Sequence, residues 1–157
     1  MIDFSSAKSI VIPEGEVYTI ACNGVILWRK VGIYTLENFT LGFVNSSNGA
    51  VEQNPSYPKA IVSPLIYLEK GKNYILNSDL SADAVDSGVR IRVYNANGNY
   101  DFSVNNNNLN SKYLSISNNK SNVYLATEIS MEAKQDCNIR IMFLEPNYLT
   151  TAVFKEA

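Results

Sequence analysis

The chain has 157 residues, 46% of them hydrophobic and 18% charged, with a net charge of −2 and no histidine. That length suits one domain, or one domain with a small appendage, and the apolar share is enough for a sizeable core. The near-zero charge excludes a broad electrostatic footprint for nucleic acid or an anionic membrane, and the missing histidine removes the commonest general base and metal ligand.

Twenty asparagines against two glutamines, with ten tyrosines and six phenylalanines, make a strand-and-turn composition. The first elements lie in Ser9–Trp28. Strands Ser9–Ile12 and Val17–Cys22 flank the turn Pro13–Glu16, and Val25–Trp28 follows the two-residue turn Asn23-Gly24. An Asn-Gly loop favours a type I′ hairpin because both residues accept positive φ. The expected register sets Cys22 opposite Val25, Ala21 opposite Ile26, Ile20 opposite Leu27 and Thr19 opposite Trp28. Val17, Thr19, Ala21, Ile26 and Trp28 then share one face, and Tyr18, Ile20, Cys22, Val25 and Leu27 the other. Both faces are apolar, so the hairpin needs cover on two sides. Residues 1–30 therefore read as a β-meander able to dock, with Tyr18, Ile20, Val25, Leu27 and Trp28 as candidate docking residues.

Arg29–Asn38 reads as a junction. Beyond it the expected strands are Phe39–Val44, Ile61–Val62, Leu65–Leu68, Asn73–Leu76, Val89–Tyr94, Asp101–Val104, Tyr113–Ile116, Val123–Ala126, Ile129–Ala133, Asn138–Leu144 and Thr151–Phe154. Gly-, Asn- and Ser-rich turns separate them, the pattern of an antiparallel β-sandwich over residues 33–157. Val89, Ile91 and Val93 alternate with Arg90, Arg92 and Tyr94. Ile139, Ile141 and Phe143 alternate with Arg140, Met142 and Leu144. Asn122–Lys134 fits a helical period as well as a strand, and its period-two spacing favours strand. Ser81–Val85 fits a single helical turn.

Chemistry-bearing patterns are sparse. The chain has no phosphate-binding glycine loop, nucleophile elbow or paired-cysteine zinc motif. Most acids, such as Glu14, Glu69, Asp79 and Asp136, sit in turn contexts, which favours solvated carboxylates over the paired acids of a glycosidase. Asn95–Asp101 has the outline of a calcium loop, but neutral asparagines hold three of its four candidate ligand positions, and a hairpin turn fits better. Cys22 and Cys137 sit beside strands as small hydrophobes; two cysteines can pair but form no disulfide framework. Tyr57, Tyr100 and Tyr113 adjoin Asn/Ser-rich loops, and Arg90, Arg92 and Tyr94 share a strand face. These six are the candidate glycan-binding residues, set against a reading as tyrosines packed at sheet edges.

The run "AKSIVIPEGEVYTIACNGVILWRK" resembles a segment of structural proteins of tailed phages and prophages of Gram-positive bacteria. Lys8, Ile10, Ile12, Pro13, Glu14, Gly15, Val17, Ile20, Gly24, Val25, Leu27 and Trp28 carry the match. The stretches "FTLGFVNSSNGAV", "SPLIYLEKGKNYIL", "VRIRVYNANGNYD" and "DCNIRIMFL" resemble a β-sandwich module of tail-fibre, baseplate and other appendage proteins. The matching positions are turn and core residues, so no catalytic or sugar-binding residue carries over. The resemblance implies a virion component and, further out, glycan binding at the host surface.

The expected fold is thus all-β: an antiparallel, jelly-roll-like sandwich preceded by a small N-terminal meander. The expected function is that of a non-enzymatic virion structural protein, a tail or baseplate appendage. The alternatives are a capsid decoration or head-fibre protein and a cellular carbohydrate-binding module. Expected partners are other virion proteins, further copies of the chain and host cell-surface polysaccharide. No cofactor, membrane insertion or nucleic acid is expected. The opening Met1-Ile2-Asp3-Phe4 lacks the features of a signal peptide, which fits synthesis in a host cytoplasm.

Overall fold

The structure, a computed structural model, describes residues 19–22, 25–29, 33–79, 89–102, 112–116, 128–144, 146 and 149–157. The chain divides into two compact units, Met1–Gly32 and Ile33–Ala157.

In the first unit, β1 (Thr19–Cys22) pairs antiparallel with β2 (Val25–Arg29). Cys22 opposes Val25 and Ala21 opposes Ile26, as a two-residue Asn-Gly loop dictates. The expected register fails beyond that point. Ile20 pairs with Trp28 and Thr19 with Arg29, with an irregularity between Ile20 and Ala21. Leu27 is therefore an extra residue in β2, as in a β-bulge, and the strict alternation behind two continuous apolar faces is interrupted there. The expected strand Ser9–Ile12, the turn Pro13–Glu16 and Tyr18 lie outside the described residues.

The second unit is all-β and antiparallel. Its elements in chain order are β3 (Tyr34–Thr35), a 3-10 turn (Leu36–Asn38), β4 (Thr40–Leu41), β5 (Phe43–Val44), β6 (Val51–Glu52), β7 (Ile61–Val62), β8 (Ile66–Leu68), β9 (Asn73–Ser78), β10 (Val89–Asn95), β11 (Leu114–Ile116), β12 (Glu128–Ala133), β13 (Cys137–Phe143) and β14 (Ala152–Glu156). One five-stranded sheet runs β10-β13-β7-β4, with β8 also on β13. The other runs β11-β12-β9-β14-β3. Strands β5 and β6 form a separate small ladder.

The sheet-to-sheet turns β8–β9 and β12–β13 are tied together. Gly71 N–H donates to Ala133 O at 2.7 Å, Ala133 N–H to Lys72 O at 3.0 Å, and Lys70 N–H to Asp136 Oδ1 at 2.8 Å. The alternation read from sequence sets the core. Val89, Ile91, Val93, Ile139, Ile141 and Phe143 of one sheet are fully buried, as are Tyr74, Ile129, Ala133 and Phe154 of the other.

Several expectations shift. The Arg29–Asn38 junction contains β3, an edge strand on β14. Phe39–Val44 is two strands, because the chain leaves β7 at Gly42 to form the β5–β6 ladder. A Cβ at Gly42 would lie 2.6 Å from Val51 Cγ1, so the crossing needs glycine. Asp101 and Phe102 are not in a strand; after the Asn95–Asn99 turn only the bridge Tyr94↔Tyr100 and the bond from Asp101 N–H to Val93 O return toward β10. Glu128–Ala133 is a strand, which settles that part of Asn122–Lys134 against the helical period. Val123–Ala126 and Ser81–Val85 lie outside the described residues, as do connections on which the jelly-roll expectation depends.

Candidate functional site

The sheet β10-β13-β7-β4 is buried on both faces. Its inner face is the sandwich core. Over its outer face fold residues 42–60, whose Phe43, Val44 and Ala60 pack with Val62, Tyr94, Met142 and Leu144 in a second apolar cluster. Tyr57, Leu65 and Tyr100 border this cluster. The alternation of β10 and β13 sends Arg90, Arg92, Tyr94, Arg140 and Met142 to this face, and ladder register makes Arg92 and Arg140 direct cross-strand partners.

Five of the six candidate glycan residues thus meet on one face: Tyr57, Arg90, Arg92, Tyr94 and Tyr100. Their rings are committed to the fold. Tyr57 stacks on Phe43 with centroids 5.5 Å apart and planes 4° apart, and the Arg90 guanidinium lies 5.5 Å from the Tyr57 centroid. Tyr94 packs edge-on to Tyr100 at 5.3 Å. Both hydroxyls hold the turn that follows β5: Tyr94 O–H donates to Gly49 O at 2.7 Å and Tyr100 O–H to Ser46 O at 2.9 Å. Gly49 lies against the Tyr100 ring, where a Cβ would sit 2.4 Å from ring carbons. Glycan stacking calls for open ring faces, whereas Tyr94 is only 5% exposed and Tyr57 is sandwiched between Phe43 and Arg90, closer to the alternative reading of packed tyrosines. The physical reason is the 42–60 segment, whose turns read from sequence as solvent loops but whose apolar residues close over the sheet.

Tyr113 stands apart from the five. It is buried, its hydroxyl donates to Asp101 Oδ2 at 3.1 Å, and Lys112 Nζ lies 5.0 Å from its ring centroid. It too offers no open stacking face. Of the candidate docking residues, Ile20, Val25, Leu27 and Trp28 lie on the β1–β2 hairpin.

Three arginines share this face. Arg92 is buried and Arg90 and Arg140 are half-buried. Arg140 Nη1 donates to a neutral acceptor, Ser63 O, at 2.7 Å. Neither Arg90 nor Arg140 forms an ion pair with a carboxylate among the described residues. Burial raises the Tyr94 and Tyr100 pKa values, and nearby positive charge works against that rise: Arg140 and Arg92 at Tyr94, Arg92 at Tyr100. Sequence alternation gave Arg140 its face, but only the strand register places it against Arg92.

Other features point to structure. Asn95 Oδ1 accepts from Asn97 and Asn99 N–H, and Asn138 Nδ2 donates to Asn95 O and Ala96 O. The calcium-like outline is therefore a self-bonded turn clamped to β13. No cluster of three or more His, Cys, Asp or Glu able to hold a metal occurs among the described residues. Cys137 is a free, buried thiol whose pKa is pushed up to about 12 by burial. On the outer face of the second sheet a shallow groove of about 440 Å³ is lined by Asn73, Ile75, Ser115, Ser130 and Glu132, among others. Among the described residues that line it, Glu132 is the sole acidic side chain.

Comparison with protein-family models, curated proteins and solved structures gave no match.

Proposed function

We propose that the chain is a non-enzymatic structural protein of a tailed-phage or prophage particle, an appendage subunit attached through its N-terminal unit. The observation that carries this reading is the division at Gly32 and Ile33: a hairpin unit precedes a sandwich that has its own core. A two-stranded hairpin is marginal alone, so a unit built around one suits a segment that gains stability against a partner. The resemblance of residues 7–30 to phage structural segments supports the same assignment, and copies repeated on a particle would gain avidity from individually weak contacts.

The test is incorporation. Tagged full chain and tagged 33–157 are supplied during particle production, and purified particles are analysed by mass spectrometry. The full chain should be found on particles and the truncated chain in the unassembled fraction. Equal incorporation of both would remove the attachment role from the hairpin. Absence of both from particles would remove the virion assignment.

A further inference from the structure

We infer that Asn97 is a site of spontaneous covalent modification: its side-chain amide is lost through attack by the Gly98 nitrogen, and the isoaspartyl form of the product loosens the cover that residues 42–60 place over the β10–β13 ladder. The inference goes beyond the appendage reading and does not depend on it.

The chain contains three Asn-Gly pairs, Asn23-Gly24, Asn48-Gly49 and Asn97-Gly98. Glycine has no Cβ to shield its own nitrogen, so a preceding asparagine side chain can meet that nitrogen closely. The last two pairs lie within the described residues, and their surroundings differ. Asn48 and Asn97 are both exposed, and both glycine N–H groups are held. Gly49 N–H donates to Asn45 O at 2.8 Å and Gly98 N–H to Asn95 O at 2.9 Å. The side chains separate the two pairs. Asn48 Oδ1 accepts from Ala50 N–H at 2.9 Å, so swinging Cγ onto the Gly49 nitrogen breaks a bond. Gly49 is itself buried against the Tyr100 ring, and Tyr94 O–H donates to its carbonyl. The Asn97 carboxamide has no hydrogen bond among the described residues; the N–H of that residue is engaged, by Asn95 Oδ1. A Cβ at Gly98 would meet one atom, Leu65 Cδ2 at 3.4 Å.

The chemistry needs only water. The Gly98 nitrogen loses its proton to hydroxide and bonds to Asn97 Cγ; the Cγ–Nδ2 bond breaks, and the nitrogen takes a proton from water and leaves as ammonia. Water then opens the cyclic imide. Opening at Cγ leaves aspartate with the main chain unchanged. Opening at the Asn97 carbonyl carbon leaves isoaspartate, whose main chain runs through Cβ and Cγ and is one methylene longer. That insertion falls inside a closed turn. Asn95 N–H donates to Asn99 O at 2.8 Å, Asn99 N–H to Asn95 Oδ1 at 3.0 Å and Asn138 Nδ2 to Ala96 O at 3.1 Å. Tyr100 follows the turn directly, its ring against Gly49 and its hydroxyl on Ser46 O. A longer main chain between residues 97 and 98 displaces the side chain that pins residues 46–49.

Incubation of the full chain in heavy-oxygen water at mildly alkaline pH, folded and in urea, tests the site, with peptide mapping by mass spectrometry. Each conversion takes up one labelled oxygen. In urea, Asn48 and Asn97 should react at similar rates. In the folded chain Asn97 should react about tenfold faster than Asn48, the rate equivalent of the extra hydrogen bond that Asn48 must break. Asn97→Gln should abolish labelling at that position and leave labelling of Asn48 unchanged. Equal rates at Asn48 and Asn97 in the folded chain, or no conversion at Asn97, would overturn the site. Hydrogen exchange reads the consequence. The isoaspartyl chain, isolated by chromatography, should exchange the amides of residues 42–60 faster than the unmodified chain. Asn97→Asp, which adds the charge without the extra methylene, should not. Unchanged exchange in the isoaspartyl chain, or equal acceleration by Asn97→Asp, would overturn the coupling to the cover.

Discussion

Gly49 and Gly71 have nearly the same backbone conformation, φ +73° and +81°, and opposite surroundings. A Cβ on Gly71 meets nothing within 4 Å, whereas one on Gly49 would lie 2.4 Å from the Tyr100 ring. Gly71→Ala should cost only the left-handed backbone penalty, about 1 kcal/mol. Gly49→Ala adds overpacking against a ring whose hydroxyl holds the same turn, and about 3 kcal/mol in total is expected. Urea denaturation of the two variants separates steric from conformational cost; equal destabilisation would show that Tyr100 moves freely. Met142 sets a different constraint. Val44 N–H is buried and donates to Met142 Sδ at 3.3 Å, the thioether serving as acceptor. Met142→Leu nearly conserves volume but strands that donor, so a loss of about 2 kcal/mol is expected. The same swap at buried Met131 should cost less than about 1 kcal/mol. Equal losses would mean that the sulfur contact contributes nothing beyond packing.

The longest ladder, β10 with β13, was legible in the sequence because both strands alternate apolar and polar or larger residues over seven positions. Strands of two residues were not. Tyr34–Thr35 and Val51–Glu52 are too short to show a period, and only their tertiary pairing makes them strands. The hairpin turn at Asn23-Gly24 set its first two pairs, but a bulge depends on how the strands twist and leaves no local residue signal at Leu27. The candidate face was half legible for a similar reason. Alternation collected Arg90, Arg92 and Tyr94, while the cover from residues 42–60 followed from contacts about 50 residues distant, such as Tyr100 O–H to Ser46 O. At the strand ends, Asp79 joins β9 to the start of β14: its carboxylate accepts from Thr150 Oγ1, from Thr150 N–H at 2.9 Å and from Thr151 N–H at 2.8 Å. These bonds, that of the Thr150 hydroxyl first, hold the Asp79 pKa below its ordinary value of 3.8. A depressed folded pKa gives stability that is present above the unfolded value and lost as pH falls through the folded one. Asp79→Asn should therefore flatten the decline of stability with acid below about pH 4 and lower stability at neutral pH. An unchanged acid slope in Asp79→Asn, measured by urea denaturation from pH 2 to 7, would assign the decline to other carboxylates.

At the scale of the whole chain, the two units differ in what can hold them together. Ile33–Ala157 has two five-stranded sheets and a second apolar cluster outside one of them. Apolar burial grows with size, and a domain of this length folds alone on that basis. The first unit is described only as a hairpin with a bulge, and two strands alone bury too little to be independently stable. Residues 33–157 produced alone should then unfold in one cooperative transition, with a midpoint within about 3 °C of the main transition of the full chain; a loss of 1 kcal/mol moves a domain of this size by about that much. Hydrogen exchange on the full chain supplies the complementary reading. Amides of β10 and β13 should exchange at the global rate, and those of β1 and β2 far faster as long as no partner is bound. A truncated chain that fails to fold would make the hairpin part of the sandwich's own stability. Its apolar residues would then be spent within the chain, and attachment would have to run through some other surface.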